Sequence, residues 1–300
     1  MTRKFAIQNS LGDICDLTTK NKNQFSAFFN EPKGLGFKKS VKAIRVGDSE
    51  IISSDTTDIP APSGEIVFYN PNTAYENYLN FINFLVHTPV RLLYTPANTT
   101  VPYYIDCRVT EVGKEEINHD DGSLRCPITF YGTSLWMSSQ ENQVTFTNNV
   151  VSGEDGKFYN LVRPYNYSGM ELSDIEFYNN GQLDCGFKME IIGDIQNPVL
   201  SAYDTMNDKY GAVGITGTYD YVKFSTEDND QSIYLEREGV SISNPSSYLD
   251  LSIRQASSPN AIIPFFKIKP GRSKLVFSAG DISMFDGELV ISWNTKYLSV

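Results

Sequence analysis

Histidine is nearly missing from this chain: His87 and His119 are the only two in 300 residues. A two-histidine metal site therefore requires both to meet in space. His87 falls at the end of a helical segment, where an imidazolium suits the negative end of the helix dipole, and His119 precedes a turn, so structural roles are expected for both. Cysteine is sparse as well. Cys15, Cys107, Cys126 and Cys185 show no C-x-x-C spacing, which argues against a zinc or redox motif and for free, buried thiols in a reducing compartment. No run of 18 apolar residues occurs, so no membrane-spanning helix is expected. Residues 1–17 lack an apolar stretch of signal-peptide length, which predicts folding in a cytosol. Net positive charge is also absent: 36 acidic against 25 basic residues give −11 at pH 7. That balance disfavours a nucleic-acid or anionic-membrane partner, because the phosphate interaction is repulsive. No glycine-rich phosphate cradle is present either, and no cofactor is expected.

What the chain does have is β-strand pattern. Apolar content of 40%, with 13% aromatics, is ample for packed cores, and the length favours two domains. Period-two alternation dominates, as in Phe187, Met189 and Ile191 or Leu289, Ile291 and Trp293. The expected fold class is mainly β, a β-rich α+β chain: residues 1–142 form a small sheet domain with one helix and a projecting hairpin, and 143–300 form a β-sandwich. The boundary is placed where MSSQENQ interrupts the apolar pattern after Trp136. Strands of the first domain are expected at 63–70, 90–96, 102–112 and 124–132, with a turn at His119-Asp120-Asp121-Gly122. In the second they are expected at 182–192, 220–225, 232–236, 248–253, 265–268, 274–278 and 288–293.

The helix is signalled by Thr73 and Glu76, which read as a capping box, and by Pro89, which stops it. Tyr75, Tyr78, Leu79, Ile82, Leu85 and Val86 fall at three- and four-residue spacing, which predicts an amphipathic helix of about four turns across the sheet. Residues 34–61 behave differently. They carry Lys38, Lys39, Lys42, Arg45, Asp48, Glu50, Asp55 and Asp58 among few apolar residues, and cannot bury a face of their own. The Val41, Ile44, Val46 and Ile51-Ile52 runs favour strand, so the segment reads as a hairpin turning near Gly47-Asp48 that orders against a neighbouring subunit.

Candidate chemistry is thin. Asp228-Asn229-Asp230 resembles the start of a calcium loop, but Ile233 stands where glycine is needed and no glutamate follows at the twelfth position. Gly132-Thr133-Ser134 lacks the second glycine of a nucleophile elbow. A glycosidase-type carboxylate pair could be formed by residues distant in sequence. Trp136 and Trp293, with Tyr165, Tyr167 and Tyr178, are candidates for stacking on sugar rings, core packing being the commoner fate of the tryptophans.

In order, GLGF at Gly34–Phe37, a long arm, SGEIVFYN, YENYLNFINFL, RLLYTP, Tyr103-Tyr104, VTEVGKEEI with Lys114, GSLRCPITF and TSLW at Trp136 resemble the distal tail proteins (Dit) of siphophages, a baseplate hub family. FFKIKPGRSKLVFS and ELVISWNTKYLSV resemble the final strands of that family's galectin-like sandwich. The resemblance implies a non-enzymatic virion structural protein at the tail tip, assembled in the host bacterial cytoplasm. It implies a hexameric ring, with two stacked rings as an option, in which a belt arm at about 34–61 reaches the next protomer. The implied partners are other copies of the chain, the tail-tube protein, the tail-tip or tail-associated protein, and receptor-binding or baseplate proteins that act in host adsorption. No nucleic-acid specificity and no membrane insertion are implied.

Residues 1–45 hold nine Lys/Arg against three Asp/Glu. From that asymmetry Lys38, Lys39, Lys42 and Arg45 are expected to face an acidic surface of the next subunit, the alternative being a solvated basic hairpin. Two further functional readings stay open from sequence: a sandwich that binds cell-wall saccharide, and a carboxylate-pair glycosidase.

Overall fold

The structure is a computed structural model that describes residues 3–19, 23–147, 170–228, 230–249, 266–280 and 287–300. The chain divides into two compact units, Met1–Gln140 with Lys296–Val300, and Glu141–Thr295.

Unit 1 opens with β1 (Lys4–Gln8), β2 (Ile14–Asp16) and β3 (Ala27–Lys33). The hairpin strands β4 (Lys39–Val46) and β5 (Ser49–Thr57) follow, then β6 (Ser63–Phe68) and helix α1 (Ala74–Leu85). The unit continues with β7 (Val90–Thr95), β8 (Tyr103–Val112), β9 (Leu124–Gly132) and the start of β10 (Trp136–Thr147). The antiparallel order is β2-β1-β7-β8-β9-β6-β3. All four strands expected here from sequence are present. The first three were not anticipated, because Lys4–Gln8 and Ile14–Asp16 are too short for alternation to register.

Alternation in β9 places Leu124, Cys126, Ile128 and Phe130 in the core and leaves Pro127 and Tyr131 exposed. These side chains join Phe5, Ile7, Phe29, Ile66, Phe68, Leu92, Ile105 and Trp136. Helix α1 closes the core through aromatic edges: Phe81 meets Phe68 at 5.9 Å and Phe25 at 5.5 Å between ring centroids.

Two details of the helix differ from expectation. Thr73 is the N-cap, but its backbone sits at ψ 5 and its hydroxyl makes no bond to the helix amides. That hydroxyl instead accepts from the side-chain amide of Asn77 at 3.0 Å, so the capping box does not form. The buried face is also shifted: Tyr78 and Leu85 are inside as expected, joined by Ala74, Phe81 and Phe84, while Leu79 and Val86 are exposed.

Unit 2 is a two-sheet sandwich. Its strands are β11 (Met170–Asn179), β12 (Lys188–Gln196), β13 (Val199–Tyr203), β14 (Lys209–Gly214) and β15 (Thr218–Glu227). They continue with β16 (Asp230–Arg237), β17 (Val240–Ser241), β18 (Gly271–Ala279) and β19 (Glu288–Tyr297). One sheet runs β17-β16-β15-β12-β19 and the other β11-β18-β13-β14. Met189, Ile191, Val222, Phe224, Ile291 and Trp293 of the first meet Leu200, Val213, Leu275 and Phe277 of the second in one apolar cluster.

Several sequence expectations need correction. MSSQENQ lies inside β10, where strand pairing overrides its polarity. Residues 182–187 are not strand, although Cys185 and Phe187 are buried. Tyr248 ends a short 3-10 turn, Pro245–Tyr248, and 250–253 fall outside the described residues. At 265–268 only an isolated bridge from Ile268 to Cys185 is described.

A candidate self-association surface

The segment after β3 leaves the sheet and returns to it through two close backbone approaches. Gly34 has φ +72, and a Cβ there would lie 2.4 Å from the Ala61 carbonyl oxygen. At Gly132 a Cβ would lie 2.2 Å from the Pro60 carbonyl oxygen, so β9 touches the returning strand where only glycine fits. The Phe130 amide donates to the Pro62 carbonyl at 2.9 Å and completes the anchor.

Between these feet β4 and β5 pair in register from Lys39–Thr57 to Val46–Ser49, with a bulge after Lys42. Gly47, at φ +64, opens the two-residue turn where the sequence places it, because glycine takes this hairpin conformation without a Cβ clash. The pairing puts Ile44, Val46 and Ile51 with Lys42 on one face, and Val41 and Ile52 with Arg45 on the other. All five aliphatic side chains are 55–65% exposed. A two-stranded hairpin bare on both faces is marginal in water, and an apolar patch of a few hundred Å² marks an interaction surface.

Its charges largely cancel. Residues 38–58 carry four cations and four anions. Lys39 pairs with Asp55 at 2.8 Å and Lys38 with Asp58 at 3.7 Å. No carboxylate partner is described for Lys42 or Arg45, and the Arg45 guanidinium donates to the Gly47 carbonyl at 3.2 Å. The four basic residues singled out from sequence are therefore brought onto one hairpin, two of them already engaged within it. The aliphatic side chains were legible in the sequence as strand formers; that the hairpin has no sheet beneath it was not.

The outer side of α1 is another partly bare apolar surface of unit 1. Tyr75, Leu79, Ile82 and Val86 repeat at helical spacing, Leu79 being 59% and Val86 67% exposed. At its N-terminal end the Tyr75 hydroxyl donates to Glu116 at 2.6 Å, beside Glu76.

The other candidates dissolve into structural roles. His87 follows the helix, and its carbonyl accepts from the Ser10 amide at 3.1 Å. His119 is exposed in the turn before β9. Asp228 and Asp230 flank the β15–β16 turn, where Asp228 is paired with Lys267 and Asp230 accepts from Ser232. The Ser134 hydroxyl accepts from the Asp106 amide at 3.0 Å and donates to the Leu135 carbonyl. Trp136 and Trp293 are buried, so neither presents a face to a sugar, whereas Tyr178 is exposed. Tyr165 and Tyr167 lie outside the described residues. Burial pushes the Cys15 and Cys107 thiols up to about 12 and Cys126 up to about 11. Among the described residues no group of three or more His, Cys, Asp or Glu could hold a metal ion.

Residues 4–133, nearly all of unit 1, match the model of the distal tail protein N-terminal domain. Unit 1 thus carries a distal tail protein N-terminal domain. The β-rich fold of the chain is shared with solved phage baseplate and hub proteins. The activated phage P2 baseplate solved with calcium contains a chain with TM-score 0.57 and 16% identity, each chain covered in full. The SPP1 Dit protein, described as a paradigm of the hub adsorption apparatus in phages infecting Gram-positive hosts, gives TM-score 0.58 at 10% identity, covering 96% of this chain and 98% of its own. No curated protein sequence matches.

Proposed function

We propose that this chain acts as a distal tail protein and closes a ring with copies of itself, a hexamer, at the tail tip. The ring joins the tail-tube protein to the tail-tip protein, and the second unit, a galectin-like sandwich, anchors receptor-binding or baseplate proteins. The role is structural rather than catalytic, and assembly takes place in the host bacterial cytoplasm. The observation that carries this reading is the β4–β5 hairpin: five exposed aliphatic side chains, firmly footed at Gly34 and Gly132, with no surface beneath them among the described residues of their own subunit. A head-to-tail contact between two different surfaces generates a ring when its rotation closes. The hairpin's cations divide accordingly: Lys38 and Lys39 hold the hairpin, and Lys42 and Arg45 turn toward the neighbour.

Light scattering on the purified chain tests the reading. The expected result is a discrete species of six subunits, or twelve if two rings stack. A particle that stays a single subunit even with tube and tip proteins present overturns it. Lys38, Lys39 and Lys42 all changed to Glu should weaken the ring, and an unchanged native mass removes the charge contribution.

A further inference from the structure

We propose that the outer stripe of α1, formed by the exposed Tyr75, Leu79 and Val86 with the partly buried Ile82 between them, is the seat for the hairpin of a second copy of this chain. The inference rests on the ring reading and specifies which surface receives the arm. A surface helix ordinarily turns one apolar face to the core and a polar face to water. Helix α1 carries two apolar stripes. One, through Ala74, Tyr78, Phe81 and Leu85, is consumed by its own core; on the other Leu79 and Val86 lie open, while Ile82 is partly buried against that core. Asn77, Asn80 and Asn83 occupy the remaining side.

Hairpin and stripe fit each other in three respects. Both are mainly apolar, and among the described residues the hairpin aliphatics and Leu79 and Val86 of the helix remain exposed. Their repeats are close enough over two steps, since alternate residues of a strand stand about 6.6 Å apart and successive helical turns about 5.4 Å apart. Ile44 and Val46 can thus sit between the turns marked by Leu79, Ile82 and Val86. Their charges are complementary: Lys42 shares the face of Ile44 and Ile51 and has no described carboxylate partner, while two carboxylates, Glu76 and Glu116, stand with the single cation Lys114 at the stripe's N-terminal end. Because the two surfaces differ and are carried by one unit, each subunit is donor to one neighbour and acceptor to the other.

Complementation between defective subunits is the test. In the full chain, Ile44→Asp with Ile51→Asp spoils the donor, and Leu79→Asp with Val86→Asp spoils the acceptor. Each variant alone should be a single subunit by native mass. Their equimolar mixture should give a one-to-one dimer and nothing larger, since one good donor and one good acceptor make a single contact. A ring that persists in the Leu79/Val86 variant, or a mixture that stays unassociated, overturns the seat while leaving the ring reading standing. A wild-type chain that never rises above a single subunit overturns both. Should the Asp variants misfold, Ile44→Cys mixed with Leu79→Cys decides, since the four native thiols are buried. Oxidation should then give a disulfide-linked dimer absent from either variant alone, and its absence counts against the seat.

Discussion

At the scale of single residues, the arm is positioned by atoms that are missing. Gly34 and Gly132 each leave room for a carbonyl oxygen where any side chain would collide. Gly132→Ala must therefore push β9 away from the returning strand, and we expect a loss of about 2–3 kcal/mol in urea unfolding. Gly36→Ala is the control: nothing lies within 4 Å of its Cβ position, and a change within about 0.5 kcal/mol is expected. Equal effects at both positions would refute the anchoring role. The thiols of Cys15, Cys107 and Cys126 make a second prediction. Burial raises each from the ordinary 9.0 to about 12, 12 and 11 respectively. The fold holds them protonated, so their contribution to stability is intact below pH 9 and is lost as pH rises through the folded values. Denaturation midpoints should be flat from pH 7 to 9 and fall above it, and a thiol reagent at pH 8 should modify none of the three in the native chain.

Among the elements, α1 shows most clearly what a sequence pattern conveys. Its existence, its start at Thr73 and its apolar periodicity were all legible, yet the face was not. Two stripes one residue apart, through Tyr78 and Phe81 or through Leu79 and Ile82, satisfy the same 3.6-residue period. What decides between them is the sheet beneath, where Phe25 and Phe68 offer aromatic edges to Phe81 and Phe84. Strands such as β9 were legible because one face is apolar and the other is not. The hairpin's polar residues and its turn were readable for the same local reason, whereas its lack of an underlying sheet is a tertiary fact. Alanine substitutions in the hairpin-defective single subunit separate the two stripes. Phe81→Ala should cost about 3–5 kcal/mol, and Leu79→Ala within about 0.5 kcal/mol, as for an exposed site. Comparable losses would mean that the outer stripe is covered by its own subunit, contrary to its 59% exposure at Leu79.

For the whole molecule, the chain path matters more than either domain alone. Unit 1 is assembled from Met1–Gln140 and Lys296–Val300, so unit 2 is an insertion into it rather than a domain appended after it. A linear boundary drawn at 142–143 has no way to express a return of this kind. The returning segment is bound, not trailing: Tyr297 packs edge-on to Tyr103 at 5.0 Å between ring centroids, and Val300 lies against the unit 1 core. An aromatic edge contact contributes about 0.5–1.5 kcal/mol beyond the area it buries. Removing residues 296–300 should therefore loosen β7 and β8, to which Tyr103 belongs, while β12 and β15 keep their own core of Met189, Ile191, Val222 and Phe224. Hydrogen exchange followed by mass spectrometry resolves the two outcomes. Faster exchange confined to Val90–Thr95 and Tyr103–Val112 is expected after truncation, with Lys188–Gln196 and Thr218–Glu227 unchanged. Uniform loss of protection across all four strands would mean that the two units unfold as one, and that the last five residues serve the whole chain.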